Sequence, residues 1–169
     1  MFVTQLTYIC ICFIMVLHVK SRMQKGNVSM SEHVNVCEYI ESNCVHVEAD
    51  CFDLEQIMES GQCFRIYKLS LQEQEKLCKS KGLENCESMA WYRVMAADKK
   101  VFVCQNGVHL IFFCSKEEYK QFWCHYFDLD FDYRSYEKAI DADDNYLKSA
   151  FAYGRGIRIL NQDPWEMLI

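Results

Sequence analysis

Eleven cysteines, five histidines and twenty-four carboxylates give this chain ample material for metal or thiolate chemistry, and spacing decides whether it is used. No two cysteines stand in a CxxC arrangement, and no Cys/His combination has the spacing of a zinc knuckle or finger. An odd count does not suit a closed disulfide framework. The cysteines therefore read as small, reduced, apolar side chains. Cys104 and His109 come nearest to a site, because a turn at Asn106-Gly107 would set them face to face, where a thiolate–imidazole pair could form. Two groups are too few for a metal, and a packed pair is the plainer reading. Asp128, Asp130 and Asp132 alternate like calcium ligands, but their loop lacks the Gly and the bidentate Glu of a calcium-binding hand. Gly61 is the remaining position of interest. In Glu59-Ser60-Gly61-Gln62-Cys63-Phe64-Arg65, Ser60-Gly61 makes a tight corner. A Gly there takes φ > 0 at no steric cost and has no side chain to hold a ligand away from its backbone. An ordinary turn glycine is the alternative that spacing alone leaves open.

The elements that would position this corner follow from periodicity. Leu54, Ile57 and Met58 repeat at three and four, which predicts a helix over 53–58. Gln62 to Tyr67 alternates as a strand, with Cys63, Arg65 and Tyr67 on one side and Gln62, Phe64 and Ile66 on the other. Val45-His46-Val47-Glu48 alternates as a first strand. Ser70 to Glu87, rich in Gln, Glu and Lys, reads as an exposed helix or loop broken at Lys79-Ser80-Lys81-Gly82, and such a charge run is solvated surface. A meander opens over Ser88–Asp98. Asn106-Gly107 asks for a type I′ turn between Val101–Gln105 and Val108–Cys114, setting Cys104 against His109 and Val103 against Leu110. Both faces of that hairpin are apolar, so the sheet is covered on both sides or waits for a partner layer.

Helices follow. Ser115-Lys116-Glu117-Glu118 is a capping box, and Tyr119, Phe122, Trp123 and Tyr126 form an apolar stripe that reads as core rather than as a base-stacking platform. One helix ends at Ala139–Ala142. Asp143 or Asp144 caps the next, which runs to Tyr153 and stops at Gly154. Asp163-Pro164-Trp165-Glu166 announces one more, with an N-cap Asp, a first-turn Pro and Glu at N3. Only Met167, Leu168 and Ile169 follow, too few for a helix given the cost of nucleation, so the chain reads as cut short.

At the other end, residues 1–19 hold no Lys, Arg, Asp or Glu, and Leu6 to Leu17 is strongly apolar. A run of about a dozen residues falls short of the roughly 20 that span a membrane. Lys20, Arg22 and Lys25 lie after the run, where a secretory signal would want them before it. The favoured reading is an upstream extension with the true start at Met23 or Met30. An amphiphilic or membrane segment and a cleaved signal stand as alternatives.

A resemblance gives the Gly61 corner a role. Leu54-Glu55-Gln56-Ile57-Met58-Glu59-Ser60-Gly61-Gln62-Cys63-Phe64-Arg65 resembles the start of the N-terminal domain of the 8-oxoguanine DNA glycosylases, with Ile66 where the family typically has Trp. Tyr153-Gly154-Arg155-Gly156-Ile157-Arg158-Ile159-Leu160-Asn161-Gln162-Asp163-Pro164-Trp165-Glu166 is similar to the segment leading into that family's catalytic domain, with Asn161 in place of the usual Arg. Tyr126-Phe127-Asp128-Leu129-Asp130 is a weaker match between them, in the expected order. The resemblance implies a fold like one half of the TATA-binding protein. It also implies base-excision repair of oxidised purines by a DNA N-glycosylase and abasic-site lyase. Such enzymes flip the damaged base out of the duplex. A Lys then attacks the sugar C1′ with help from an Asp, and both belong to the helix-hairpin-helix domain that normally follows. No Lys of this chain sits in a matching motif, so no catalytic residue is assigned in it. One contact carries over: the Gly of the Ser-Gly-Gln motif, here Gly61, offers its carbonyl to N7–H of 8-oxoguanine. Normal guanine presents a bare acceptor at N7 and is repelled. A site built on such a polar contact discriminates better than one built on shape.

Composition narrows the rest. A chain of 169 residues suffices for one core, and 51% hydrophobic with 14% aromatic residues excludes a disordered chain. A net charge of −6 opposes binding to phosphate backbones, so contact with DNA needs a local basic patch or a further part of the protein. The expected architecture is α+β, an antiparallel twisted sheet with helices on one side, followed by helices leading toward an all-α domain. Its expected divisions are an N-terminal extension over 1–44, the α+β domain over 45–127 and a helical segment over 128–169. The expected partner is damaged double-stranded DNA, bound through the intact protein, which would be a monomer without metal, cofactor or membrane. The expected location is DNA-associated in the cytoplasm, or in the nucleus of a eukaryote. Two other readings compete: a non-catalytic truncated product or interaction domain, and a secreted or membrane-tethered protein.

Overall fold

The computed structural model describes residues 43–81 and 89–165. The expectations for the apolar run over 6–17, for the start at Met23 or Met30, for Gly82 and Leu83 and for the last four residues lie outside the described residues. The described residues form two compact units, one of Asp132–Arg155 and one of 43–131 with 156–165.

The larger unit is built on a five-stranded antiparallel sheet. Its strands are β1 (Val45–Glu48), β2 (Ile66–Lys68), β3 (Ala90–Ala96), β4 (Lys99–Asn106) and β5 (His109–Phe112), in the spatial order β1-β5-β4-β3-β2. Three helical stretches accompany it: α1 (Leu54–Glu59), α2 (Leu71–Lys81) and α3 over 116–126. Period-2 patterning selects the core face. Val45, Val47, Tyr92, Val94, Val101, Val103, Leu110 and Phe112 all point one way and are buried. Leu54 and Ile57 of α1 and Tyr119, Trp123 and Tyr126 of α3 close over them. Each fully buried side chain of this size stabilises the fold by about 1.5–3 kcal/mol. The opposite face carries a smaller cluster, in which Cys78 and Leu77 of α2 pack with Leu69 on Trp91 and Cys104. The α+β sheet with its main helical layer is as expected, and α2 adds partial cover to the second face.

Local signals account for most helix ends. Asp53 caps α1 by accepting from Gln56 N at 3.0 Å, and Ser115 caps α3 by accepting from Glu118 N at 3.1 Å. Glu118 does not reach back to complete the box; its carboxylate accepts from Trp123 Nε1 at 2.8 Å. Residues Tyr119–Trp123 take a π turn, and the stripe they belong to is core. In the smaller unit, α4 (Arg134–Ala139) is followed by α5 (Asn145–Tyr153), with Asp144 as N-cap and Gly154 after its last turn. Asp163 Oδ1 accepts from Trp165 N at 2.9 Å, the capping contact expected there.

Three expectations need correction. The strand after Gly61 spans only Ile66–Lys68, because Gln62 and Cys63 spend their bonding capacity on a bend. Arg65 N donates to Cys63 Sγ at 3.3 Å, and Cys63 and Ile66 are both buried while Phe64 is exposed, a spacing no strand gives. The hairpin turn sits one residue later than expected. Asn106 pairs with His109 and the loop is Gly107-Val108, with positive φ only at Gly107, the pattern of a type II′ turn. Val103 therefore opposes Phe112 and Cys104 opposes Ile111, which leaves both apolar faces as expected. The reduced-thiol reading holds for Cys44, Cys51, Cys63, Cys104, Cys114 and Cys124, but Cys78 is disulfide-bonded.

Candidate functional site

The chain leaves α1 through Ser60, whose N–H donates to Gln56 O at 2.9 Å and whose hydroxyl donates to Ile57 O at 2.6 Å. Gly61 follows at φ +76, the left-handed position that commonly ends a helix. It is exposed, and a Cβ placed on it would meet nothing within 4 Å. The glycine is thus required by backbone conformation, and the space beside it is open to a ligand.

Gln62 fixes the corner from behind. Its Nε2 donates to Arg158 O at 2.9 Å and to Ser60 Oγ at 3.0 Å, and its Oε1 accepts from Leu160 N at 3.1 Å. Its own carbonyl accepts from Gln162 Nε2 at 2.6 Å. The two motifs, about a hundred residues apart, therefore lie side by side. The 156–162 stretch runs in no strand or helix, so these side-chain bonds supply what a ladder otherwise would.

Two further residues hold that stretch in place. Gly156 N donates to Gln56 Oε1 at 3.1 Å, and Gly156 O accepts from Asp53 N at 2.8 Å. A Cβ on Gly156 would lie 2.4 Å from Asp53 Cβ, so close approach demands the glycine here. Arg158 is only 4% exposed and donates to four carbonyls: Nε to Cys51 at 3.2 Å, Nη1 to Asp128 at 2.7 Å and Phe131 at 3.1 Å, and Nη2 to Asp50 at 2.7 Å. Cys51 and Asp128 have φ of +53 and +52, conformations that cost a non-glycine residue energy and persist only where the surroundings enforce them. The planar guanidinium, with five donors in a fixed fork, is suited to enforcing both loops at once. Asn161 extends the clasp, its N donating to Tyr126 O at 2.9 Å and its Nδ2 to His125 O at 2.6 Å. Ile66, the other departure from the resembled pattern, is buried in the core opposite Val94.

The other sequence candidates are not brought together. Cys104 is buried opposite Ile111, and burial pushes its thiol up to about 12, so no thiolate forms near neutral pH. His109 is exposed and pairs instead with Glu48, Nδ1 to carboxylate 3.4 Å. Asp130 accepts from Cys124 Sγ at 3.1 Å and Asp132 from Arg134 N at 3.0 Å, and among the described residues no three metal-ligating side chains converge. Among them, too, no helix is long and apolar enough to cross a membrane. Gln62, Gly156, Arg158 and Gln162 had no assigned role in the sequence reading. Their only signal there was that they stand inside the two long motifs.

Comparison with known proteins agrees with this geometry. The family profile of the 8-oxoguanine DNA glycosylase N-terminal domain matches residues 44–168. MBOgg1, solved in complex with a low-affinity DNA ligand, is 31% identical with a TM-score of 0.60 over 78% of this chain and 39% of its own. The 8-oxoguanine glycosylase/lyase of Clostridium acetobutylicum in its apo form is 30% identical with a TM-score of 0.57, over 82% of this chain and 41% of its own. The same enzyme with double-stranded DNA containing cytosine opposite 8-oxoG is 29% identical with a TM-score of 0.58, over 81% and 40%. No curated protein sequence matches. The chain thus spans about two fifths of the length of these solved relatives. With the profile running through both motifs and the clasp that joins them, the chain belongs to the family of 8-oxoguanine DNA glycosylase N-terminal domains.

Proposed function

We propose that this chain serves base-excision repair of oxidised purines as the lesion-reading N-terminal part of an 8-oxoguanine DNA N-glycosylase and abasic-site lyase. The observation that carries this reading is the exposed Gly61 at φ +76, held from behind by Gln62 in a chain of this family. In the proposed complex the Gly61 carbonyl accepts a hydrogen bond from N7–H of an extruded 8-oxoguanine. Guanine, with an acceptor at N7, meets the same carbonyl as a repulsive partner and is left in the duplex. The partner is damaged double-stranded DNA, and the protein works wherever that DNA lies, cytoplasmic or nuclear. The catalytic Lys and Asp of the family have no counterpart in a matching motif here, so excision belongs to the intact enzyme and this chain alone is expected to be inactive.

The test is Gly61→Ala in the complete protein, with excision of 8-oxoguanine and of guanine measured on matched duplexes. The open space around the Cβ position means that the substitution meets no steric obstacle, and only the backbone conformation is strained. Selectivity is expected to fall at least tenfold with the fold retained. Unchanged selectivity in a folded variant would remove Gly61 from the recognition site.

A further inference from the structure

The second face of the sheet carries a feature at odds with the acidity of the chain. On this face β2, β3 and β4 present Arg93 and Lys100 and no carboxylate, in a protein with 24 acidic residues against 18 basic ones; Lys68, paired with Glu55, and Lys99, over Phe122, belong to the core face. Tyr67, Arg93 and Phe102 are direct cross-strand neighbours, and Lys100 lies one pair further along the same face of β4. The Arg93 guanidinium lies 5.1 Å from the centre of the Tyr67 ring, and Lys100 Nζ lies 5.6 Å from that of Phe102. Lys81, from α2, lies 5.8 Å from the centre of Phe113 on the same face. Arg93 Nε is buried without a hydrogen-bond partner. The nearby carboxylate of Glu73 is directed toward Ser70, accepting from its N–H at 3.0 Å and its hydroxyl at 2.8 Å.

Rings beneath cations hold their charges in place without neutralising them. A carboxylate partner would cancel the field that this arrangement preserves. We propose that the Tyr67–Arg93–Phe102–Lys100 row is a second contact surface for DNA, one that binds the sugar–phosphate backbone without regard to the lesion. The inference rests on the DNA-handling role proposed above and adds to it a second site, on the sheet face of β2, β3 and β4 away from the main core. It also answers a difficulty raised by the net charge, since attraction to phosphate becomes local rather than global. The rings give the cations a preset orientation, so less side-chain freedom is lost when phosphates arrive.

The experiment measures binding of the chain to an undamaged duplex and to the same duplex with one 8-oxoguanine, by fluorescence anisotropy from about 50 mM to about 200 mM salt. The variants are Arg93→Gln, Lys100→Gln and the two combined, with Lys120→Gln on α3 as a charge-matched control. Circular dichroism melting confirms folding. The combined variant is expected to bind both duplexes about tenfold more weakly, and its slope of log affinity against log salt is expected to shrink by about 1.8. Should Arg93→Gln unfold, Lys100→Gln alone carries the test, because its side chain is exposed, and its slope should shrink by about 0.9. Absence of duplex binding by the chain, an unchanged slope, or an equal loss in Lys120→Gln would overturn the proposal. The readout is separate from that of Gly61. The row lowers both affinities together, whereas Gly61→Ala changes the selectivity between lesion and guanine.

Discussion

Gly61 and Gly107 share a conformation and little else. Both have positive φ, +76 and +59, and a Cβ on either would meet nothing within 4 Å. Gly107 turns a hairpin whose strands close on each other through the β4–β5 ladder. The two strands that the turn joins are themselves adjacent in sequence, and their pairing sets its register. Gly61 has no ladder beside it, and its geometry is set through Gln62 by groups about a hundred residues away, the Arg158 carbonyl, the Leu160 N–H and the Gln162 side chain. A hairpin turn needs only to reverse the chain. The base-reading role proposed for the Gly61 carbonyl would require it to be aimed as well, and an aimed group needs support from several directions.

Substitutions can test whether the clasp and the ladder differ as described. The largest loss is expected from Arg158→Met, which leaves four carbonyls without their donor and frees the loops at Cys51 and Asp128. Urea denaturation should register about 3 kcal/mol, since buried acceptors left unpaired cost about 1–3 kcal/mol each before relaxation. A loss no greater than that of Gly107→Ala would mean that the clasp is not what holds the corner. Gly156→Ala comes next, at about 2 kcal/mol, because its Cβ would sit against backbone-fixed Asp53. Gln62→Leu should cost about 1–2 kcal/mol, and in the complete protein it should also lower selectivity for 8-oxoguanine, which a purely structural residue would not do. Gly61→Ala and Gly107→Ala should each cost about 1 kcal/mol from backbone strain alone, and only the first should change selectivity. The smallest effect is chemical. At pH 8 a thiol reagent should label partly exposed Cys51 ahead of Cys104, whose thiol burial pushes up to about 12. Labelling of both at the same rate would show that the ladder around Cys104 opens readily.

The elements themselves were largely legible. Val45–Glu48, the capped helix after Asp53, the stripe from Tyr119 to Tyr126 and the Asp144 cap all follow from patterns within ten residues or so. The type II′ turn was misplaced by one residue because Asn-Gly competes with Gly-Val for the loop. The structure settles that competition through Gln105, whose Nε2 donates to Gly107 O at 2.9 Å and Phe52 O at 2.8 Å. The strand after Gly61 was overextended for a related reason. Alternation over Gln62–Tyr67 is real in the sequence, but Gln62 bonds to the 158–162 stretch, and no local pattern announces a partner so far away.

By itself the sequence determined the α+β class, the glycine at residue 61 and the two motifs, because these depend on local periodicity, backbone sterics and residue order. Only the tertiary structure decided that the motifs touch, that Arg158 is buried beneath them and that three carboxylate-free strands line up a row of cations over rings. The reason is physical. Each of these depends on contacts between residues that the chain separates and only a closed core brings within reach of one another.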